Sequence, residues 1–438
     1  MAWRVAIVGG GFGGFYAARR LERILPHESA RVTLVTDVNY LLYTPLLPGA
    51  AAGTLEPRHV VIPLREELSR TAVMLGRLTG ADPAQRTIAV TSADGREERI
   101  EYDQLVLALG SVPRTAPIPG LREHALGFNS LPEAVALRNR TLLNLEVAES
   151  LDDPDARRPH LTFLFVGAGY AGVEGIAELQ DYVADVITRY PRSRLDGTRW
   201  ILAELRERIM PEITPSLAAF AERELRARGI EVRTGTGLAS IEGDRAELSD
   251  GESIPTRTVC WTAGVRPPAL TRELGLPVDA DGRIVVDRTM QVDGHPGVWA
   301  VGDCAAVPDP AKGGRAPSPP TAQHALRQGR RVADNVAAAM GRGRPRRFRY
   351  RTKGVFVDMG RHKAVAEVVG IKLSGFLAWW IARTYHLAMM PGTARRLRLV
   401  TDWTVGLFFG RASAELGQLG TPARLGDGSG GGEAAASE

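Results

Sequence analysis

The chain is poor in cysteine. Cys260 and Cys304 are its two cysteines, and no C-x-x-C occurs among the 438 residues. A local redox dithiol and a zinc knuckle are therefore excluded, and no metal site is expected. Also missing is any uncharged apolar run of roughly 18 residues, the length from which a spanning helix is read, so no transmembrane span is expected. No leader-like segment precedes Arg4, which already opens a fold element, and a cytosolic chain is expected. Strong charge of one sign is lacking too, since 55 basic against 50 acidic residues leave a net +5. No nucleic-acid-binding motif accompanies that mild excess, and no nucleic-acid partner is expected.

Glycine, by contrast, is abundant at 48 residues, and its placement is informative. With 44% hydrophobic and 24% charged residues, a chain of this length supports two or three globular domains. Arg4–Gly14 reads RVAIVGGGFGG. Val5–Val8 suits a strand buried on both faces, Gly9, Gly11 and Gly14 form G-x-G-x-x-G, and Phe15–Leu25 is a helical stretch. Strand, glycine turn and helix in that order are the context of dinucleotide binding. The first glycine allows the tight turn, the second lets backbone approach a pyrophosphate, and the third lets helix pack close on strand. The helix N-terminus then offers free N–H groups to the phosphates. Taken alone, the motif also admits a tight turn without a ligand.

Arg31–Val35 is the second strand. Asp37, 23 residues past Gly14, is the candidate ribose-binding acid. Asn39–Pro48 is apolar, aromatic and broken by Pro45 and Pro48, so it reads as a loop covering something flat or as a buried connector. Arg86–Val90 and Arg99–Tyr102 make a hairpin around Asp94-Gly95. Tyr102–Gly110 is a buried strand ending in glycine, and the Pro-rich Ser111–Gly120 reads as a crossing between domains.

The pattern then repeats. His160–Val166 is a buried strand, Gly167, Gly169 and Gly172 form a second G-x-G-x-x-G, and a helix runs on through Glu174, Glu178 and Tyr182. The strand Trp200–Glu204 ends in an acid, further from its glycines because of the charged stretch Arg189–Arg199. Arg257–Gly264 closes this unit as Leu105–Gly110 closes the first. One such motif is weak, whereas two in matching contexts point to two dinucleotide folds. Val298–Asp303 is one more strand, ending in Gly302-Asp303, where Asp303 is either a ligand or a helix cap.

These stretches resemble a known family. GGGFGG at the start, GAGYAGVE at Gly167–Glu174, WTAGV at Trp261–Val265 and VGDCA at Val301–Ala305 resemble the two-dinucleotide-binding-domain flavoproteins. Within them, NYLLYTPLLP (Asn39–Pro48), AQHALRQG (Ala322–Gly329) and the aromatic C-terminal region resemble type II NADH dehydrogenases, the non-proton-pumping NADH:quinone oxidoreductases. The resemblance spans roughly Val5–Leu419. It implies an α/β fold of two Rossmann-like domains, the second inserted in the first, with a C-terminal amphipathic helical membrane-binding region. The implied division is FAD binding over 1–125 and 281–360, NADH binding over 126–280, membrane anchoring and dimerisation over 361–420, and a disordered tail over 421–438.

By that resemblance FAD lies against Gly9, Gly11, Gly14, Asp37, Gly110, Gly302 and Asp303, the last at the ribityl chain. NADH lies against Gly167, Gly169, Gly172 and Glu204, whose charge favours NADH over NADPH. Glu174, Gln323 and Gln328 carry the implied catalytic roles, Glu174 beside the nicotinamide and flavin. The implied partners are NADH, a membrane quinone, the cytoplasmic face of the cell membrane and a second copy of the chain. Two positions depart from the family pattern: Thr36 stands where a ribose acid often follows the strand, and Arg327 stands at the second glutamine of A-Q-x-A-x-Q.

From Arg361 to Arg411 eight basic residues face two acidic ones, alongside Phe376, Trp379, Trp380, Tyr385, Trp403, Phe408 and Phe409. Gly375–Met390 is too short to span. It reads as an amphipathic helix in a bilayer interface or as a helix docked on the first domain. Pro391-Gly392 ends it, and Thr401–Phe409 reads as a second inserting element. A sulfide:quinone reductase, a reductase of a protein acceptor and a flavin- and NAD-binding redox sensor are the alternative readings. The sensor reading rests on Arg327.

Overall fold

The computed structural model describes residues 2–314, 316–352, 354–360 and 362–416. The tail 421–438 and Arg361 of the basic C-terminal set lie outside the described residues. The chain opens with β1 (Trp3–Val8), α1 (Phe12–Ile24) and β2 (Ala30–Thr36), which pair in parallel with Val8 opposite Val35. The hairpin around Asp94-Gly95 forms between β4 (Thr87–Ser92) and β5 (Glu97–Glu101), which extend the long strand β3 (Ala72–Asp82). β6 (Gln104–Leu107) then returns to the other side of β1.

The second unit begins after α2 (Leu131–Ser150), whose start is fixed by a capping box between Ser130 and Glu133. β7 (Thr162–Val166), α3 (Tyr170–Val186), β8 (Arg199–Glu204), α4 (Pro215–Ala227), β9 (Ile230–Thr234) and β10 (Thr258–Trp261) follow. Their sheet has the order β9-β8-β7-β10 and is parallel throughout. The chain then returns to the first sheet through β11 (Val298–Ala300), beside β6, giving the order β11-β6-β1-β2-β3-β4-β5. The second Rossmann-like unit is thus inserted in the first. Strands Val5–Val8 and Thr162–Val166 are buried almost throughout, as sheets covered on both faces require.

α5 (Ala322–Ala339) packs across α1, and a three-stranded antiparallel sheet of β12 (Gly354–Asp358), β13 (Ala364–Val368) and β14 (Ile371–Ser374) follows. Two terminal helices close the described chain, α6 (Gly375–Met389) and α7 (Thr393–Phe408). No helix among the described residues is long and apolar enough to cross a membrane.

Several local expectations shift. α1 starts at Phe12, inside the glycine motif, because Gly11 is its N-cap. Asn39–Pro48 is not a plain loop: it holds a short strand, Tyr40–Leu42, and leads into a helical turn, Leu47–Ala51, whose Leu47 and Ala51 enter the second unit's core. Residues 154–161 are helical, started by Asp153 and Pro154, so β7 begins at Thr162 rather than His160. The extra length before Glu204 comes from the long α3 and two short helical turns over 187–196. α7 begins eight residues before Thr401, because Gly392 sits at φ +84° and turns the chain directly into a new helix.

The helix expected over Gly375–Met390 is docked along one side and exposed along another. Ala378, Trp379 and Ala382 of α6 are buried, Ala378 and Trp379 against the three-stranded sheet, while Phe376, Leu377 and Trp380 are exposed. α7 buries only Arg395 and Leu399, and leaves Leu397, Val400, Val405, Leu407 and Phe408 exposed.

The two glycine turns have the same construction. Gly9 and Gly167 both sit at φ +106°. A Cβ on Gly14 would lie 1.9 Å from the Gly9 carbonyl oxygen, and one on Gly172 the same distance from that of Gly167. A Cβ on Gly11 would meet nothing within 4 Å. Gly14→Ala is therefore expected to cost about 3 kcal/mol or more through enforced backbone displacement, whereas Gly11→Ala leaves the thermal unfolding of the ligand-free chain close to wild type. Scanning calorimetry of both variants checks the contrast.

Candidate functional site

Each glycine turn ends in a helix whose first N–H groups face open space. Gly11 and Gly169 are the N-caps of α1 and α3, with φ −71°, ψ −168° and φ −74°, ψ −169°, and neither helix start has a side-chain cap. A Cβ on Gly169 would also meet nothing within 4 Å. The same openness recurs at Gly110 and Gly264, which close the two units at φ +65° and +92°. Uncapped helix N-termini beside unfilled backbone concavities suit a pyrophosphate, so both cradles fit a dinucleotide.

The acids beside them differ. Glu204 ends β8, and its carboxylate accepts hydrogen bonds from the backbone N–H of Ala168 (2.7 Å), inside the second glycine turn, and of Arg206 (3.0 Å). In the first unit, the strand position that matches Glu204 by register is Thr36, whose Oγ1 donates to the Val38 carbonyl (3.0 Å). Asp37 is the next residue and is exposed.

Asp303 follows Gly302, which sits at φ +76° just beyond β11. Its carboxylate accepts from Ser111 Oγ (2.8 Å), and burial raises its proton affinity. Gln328 of α5 accepts the Gly302 N–H on Oε1 (2.8 Å) and so holds the turn that presents Asp303. Gln323 is tied at both ends of its amide: Nε2 donates to the Gly354 carbonyl (3.0 Å), and Oε1 accepts from Tyr350 Oη (2.7 Å).

Glu174 sits on α3, one turn into the second unit's helix, and lines a cavity of about 30 Å³. Glu178, Asp358, Arg383, His386 and Phe356 share its wall, with Pro45 to Leu55 of the connector opposite. Glu174 Oε1 accepts the Asp358 N–H (3.0 Å), and burial pushes its carboxyl well above the ordinary range. Glu178 and Asp358 are hydrogen-bonded to each other through their carboxyls. Two such groups side by side in a desolvated site must share a proton. Burial and that neighbour push Glu178 up to about 7. Asp358 is raised for the same first reason, with Arg383 opposing.

Arg383 lies between the rings of Trp379 (4.3 Å) and Trp403 (4.9 Å), and burial lowers its pKa. Burial pulls His386 down to about 4, so its imidazole is neutral at pH 7, hydrogen-bonded at Nδ1 to Tyr43 Oη (3.3 Å).

Of the sequence-derived candidates, Glu174 alone lines this cavity. Gln323 braces the start of β12, which carries Phe356 and Asp358, and Gln328 braces the Gly302 turn, each through a backbone contact. Arg327 stacks on Tyr350 (4.1 Å) and lines a different groove, which removes the observation behind the sensor reading. Glu178 was legible as the residue one turn beyond Glu174, whereas nothing local in the sequence marks Asp358, Arg383 or His386 as its neighbours. Cys260 and Cys304 are free and buried, and burial pushes the Cys304 thiol up to about 12 and Cys260 further upward. Thiols held protonated in this way are poor nucleophiles. Among the described residues, no group of side chains could hold a metal.

A family model described as pyridine nucleotide-disulphide oxidoreductase matches residues 3–329. The type II NADH:quinone oxidoreductase Ndh of Mycobacterium tuberculosis is 31% identical, covering 92% of this chain and 87% of its own. The demethylphylloquinone reductase NdbB of Synechocystis is 31% identical over 91% of this chain and 95% of its own. A solved NDH2 of Plasmodium falciparum, in complex with NADH, superposes with a TM-score of 0.88 over 94% of this chain and 100% of its own, at 18% identity, a likeness of fold. The chain belongs to the type II NADH:quinone oxidoreductases, within the pyridine nucleotide-disulphide oxidoreductases.

The Glu178 carboxyl sets a pH dependence. Between about 4.5 and about 7 the folded chain keeps a proton there that the unfolded chain has lost, so stability falls as pH rises through that window and levels above it. Melting temperatures taken across the window are expected to fall, and Glu178→Gln to flatten the fall. An unchanged slope in the variant overturns the assignment.

Proposed function

We propose that this chain oxidises NADH through a bound FAD and reduces a quinone in the cavity beside Glu174. The observation that carries it is one cavity bordered by three carboxyl groups, in a chain that also holds two open dinucleotide cradles. The unit 1–125 with 281–360 holds FAD and the unit 126–280 holds NADH. FAD supplies a two-electron carrier that accepts a hydride and passes its electrons on.

The chain's own residues bind, orient and hold protons. Gly9, Gly11 and Gly14, with the α1 N-terminus, cradle the FAD pyrophosphate. Gly110, Gly302 and Asp303 border the rest of it, Asp303 accepting hydrogen bonds from the ribityl hydroxyls and Gln328 fixing its turn. Asp37, one residue past the strand, reaches the FAD ribose from the rim of the cradle. Gly167, Gly169 and Gly172 cradle the NADH pyrophosphate, and Glu204 accepts the adenosine ribose hydroxyls. Its anionic carboxylate repels a 2′-phosphate.

Reducing a quinone to a quinol takes two electrons and two protons. Burial favours the neutral form of the Glu174 carboxyl, the form that can donate a hydrogen bond into the cavity, while the Glu178–Asp358 pair holds a proton beside it. Gln323 positions Tyr350 and β12 beside that wall. Phe356 and the Pro45–Leu55 connector supply the flat apolar faces a quinone ring needs.

The exposed apolar faces of α6 and α7 are the seat on a membrane surface, at the face where NADH is available, the cytoplasmic one. Tryptophan and phenylalanine beside arginine match what a bilayer interface holds. A second copy meeting this chain through the same region would make a homodimer, read as a doubled mass in detergent.

Anaerobic addition of NADH to the purified yellow protein is expected to bleach it, and a short-chain menaquinone analogue to restore the colour. Bleaching without restoration overturns the quinone assignment. Glu204→Ala is expected to raise KM for NADH by about tenfold or more, from the loss of charge-assisted hydrogen bonds, with kcat kept. An unchanged KM removes Glu204 from the ribose. Replacing Phe376, Trp380, Phe408 and Phe409 together by Ser is expected to release the chain from vesicles while short-chain quinone turnover persists, and retained binding overturns the membrane seat.

A further inference from the structure

Residues 341–351 read GRGRPRRFRYR, six arginines without one acid. The segment is pinned along α5. Asn335 Oδ1 accepts the Arg346 N–H (2.8 Å), and its Nδ2 donates to the Arg346 carbonyl (2.9 Å). Phe348 is buried, its N–H donating to the Arg288 carbonyl (2.7 Å). Further on, Tyr350 reaches Gln323 near the start of α5. This course lays the segment's arginines beside those of α5 and leaves a groove of about 280 Å³ between them.

Four arginines line that groove: Arg327, Arg330, Arg331 and Arg349. The acid in its wall is Asp334, whose carboxylate is already divided between Arg20 (2.8 Å) and Arg331 (3.5 Å). Arg331 Nη1 is buried and has no hydrogen-bond partner among the described residues. Arg330 lies over the Tyr16 ring (5.0 Å) with Arg19, Arg23 and Arg327 around it, like charges that lower its proton affinity after burial. Gathering guanidinium groups around open space with one shared counter-charge is unfavourable unless an outside anion completes the site. Arginine's planar fork fits phosphate oxygens two at a time.

The groove's position narrows the source of that phosphate. Tyr16, under Arg330, also feels Glu67 and Arg396. Glu67 pairs with Arg19 (3.4 Å) and with Arg395 (2.7 Å). Arg395 and Arg396 stand in the first turn of α7, directly before the exposed Leu397 and Val400. Ion pairs from Arg19 through Glu67 to Arg395 thus link α1, beside the basic groove, to the first turn of α7, and a surface lying on a bilayer uses both parts: apolar side chains at the acyl boundary and cations at the depth of the phosphates.

We propose that this groove and the 342–351 arginine belt bind the phosphates of anionic phospholipid headgroups, so that the enzyme selects anionic membrane. The proposal rests on the membrane seat of α6 and α7 and adds lipid selectivity to it.

The test compares sedimentation of the full chain with vesicles of phosphatidylcholine alone and of phosphatidylcholine with phosphatidylglycerol. Wild type is expected to favour the anionic vesicles, and rising salt to erase the preference. In R344Q/R347Q/R349Q the affinity for anionic vesicles is expected to fall roughly 100-fold, about fivefold for each arginine at a charged surface. Binding to neutral vesicles and turnover of a short-chain quinone stay unchanged, which shows the variant folded. Equal wild-type binding to both vesicle types overturns the lipid selectivity and leaves the membrane seat standing. Binding to neither overturns the seat itself. Displacement by inorganic phosphate at equal phosphate concentration, or equally tight binding of a short DNA duplex, overturns the lipid assignment. The salt series on wild type decides the question without any variant.

Discussion

Backbone-to-backbone contact through glycine is the constraint on which the structure depends. Gly14 rests on the Gly9 carbonyl, and a Cβ on Gly329 of α5 would lie 2.2 Å from the Gly13 carbonyl of α1. These contacts fix α1 against the sheet and α5 against α1. Everything attached to α5 follows from that: Gln328 reaches the Gly302 N–H, Asp303 is presented beside Ser111, and Gln323 at the helix start meets β12. A methyl group at either place would push the helices apart and dissolve the geometry of the first glycine cradle.

The same turn is built again at Gly167–Gly172, but its surroundings differ in charge. The second turn holds Glu204 against its own backbone N–H, whereas the first has Thr36 at that register. One fold element thus meets two different side chains at the end of the neighbouring strand. Between the units, the connector through Leu47 and Ala51 joins the second core, and the terminal helix α6 closes over it with Arg383 and His386. The result is a small cavity where burial favours the protonated form of its carboxyl groups, the condition under which acids can serve a reaction that consumes protons.

α6 and α7 do two things at once. Their inner faces finish the cavity through Trp403, Arg383 and His386, and their outer faces carry Phe376, Trp380 and Leu407 into solvent. The cavity wall and an exposed apolar surface are the two faces of the same helices, so a change in how they dock alters both.

By itself, the sequence determined the two nucleotide units, because each rests on a local pattern: an apolar strand, glycines at fixed spacing and a following helix, all within about 25 residues. It also marked Glu204 and Asp303 as acids at or just beyond strand ends, and the aromatic, basic character of the C-terminal region. Glu178 was present as a residue without a reason. The tertiary structure alone decided which groups meet Glu174. Asp358, Arg383 and His386 come from a separate sheet and a terminal helix about 180 to 210 residues downstream, and no periodicity links positions so far apart. It also decided that Arg327 turns toward Tyr350 and away from the cavity, and that the arginines of 342–351 lie along α5. Register and helix packing set those juxtapositions, and both are properties of the whole chain.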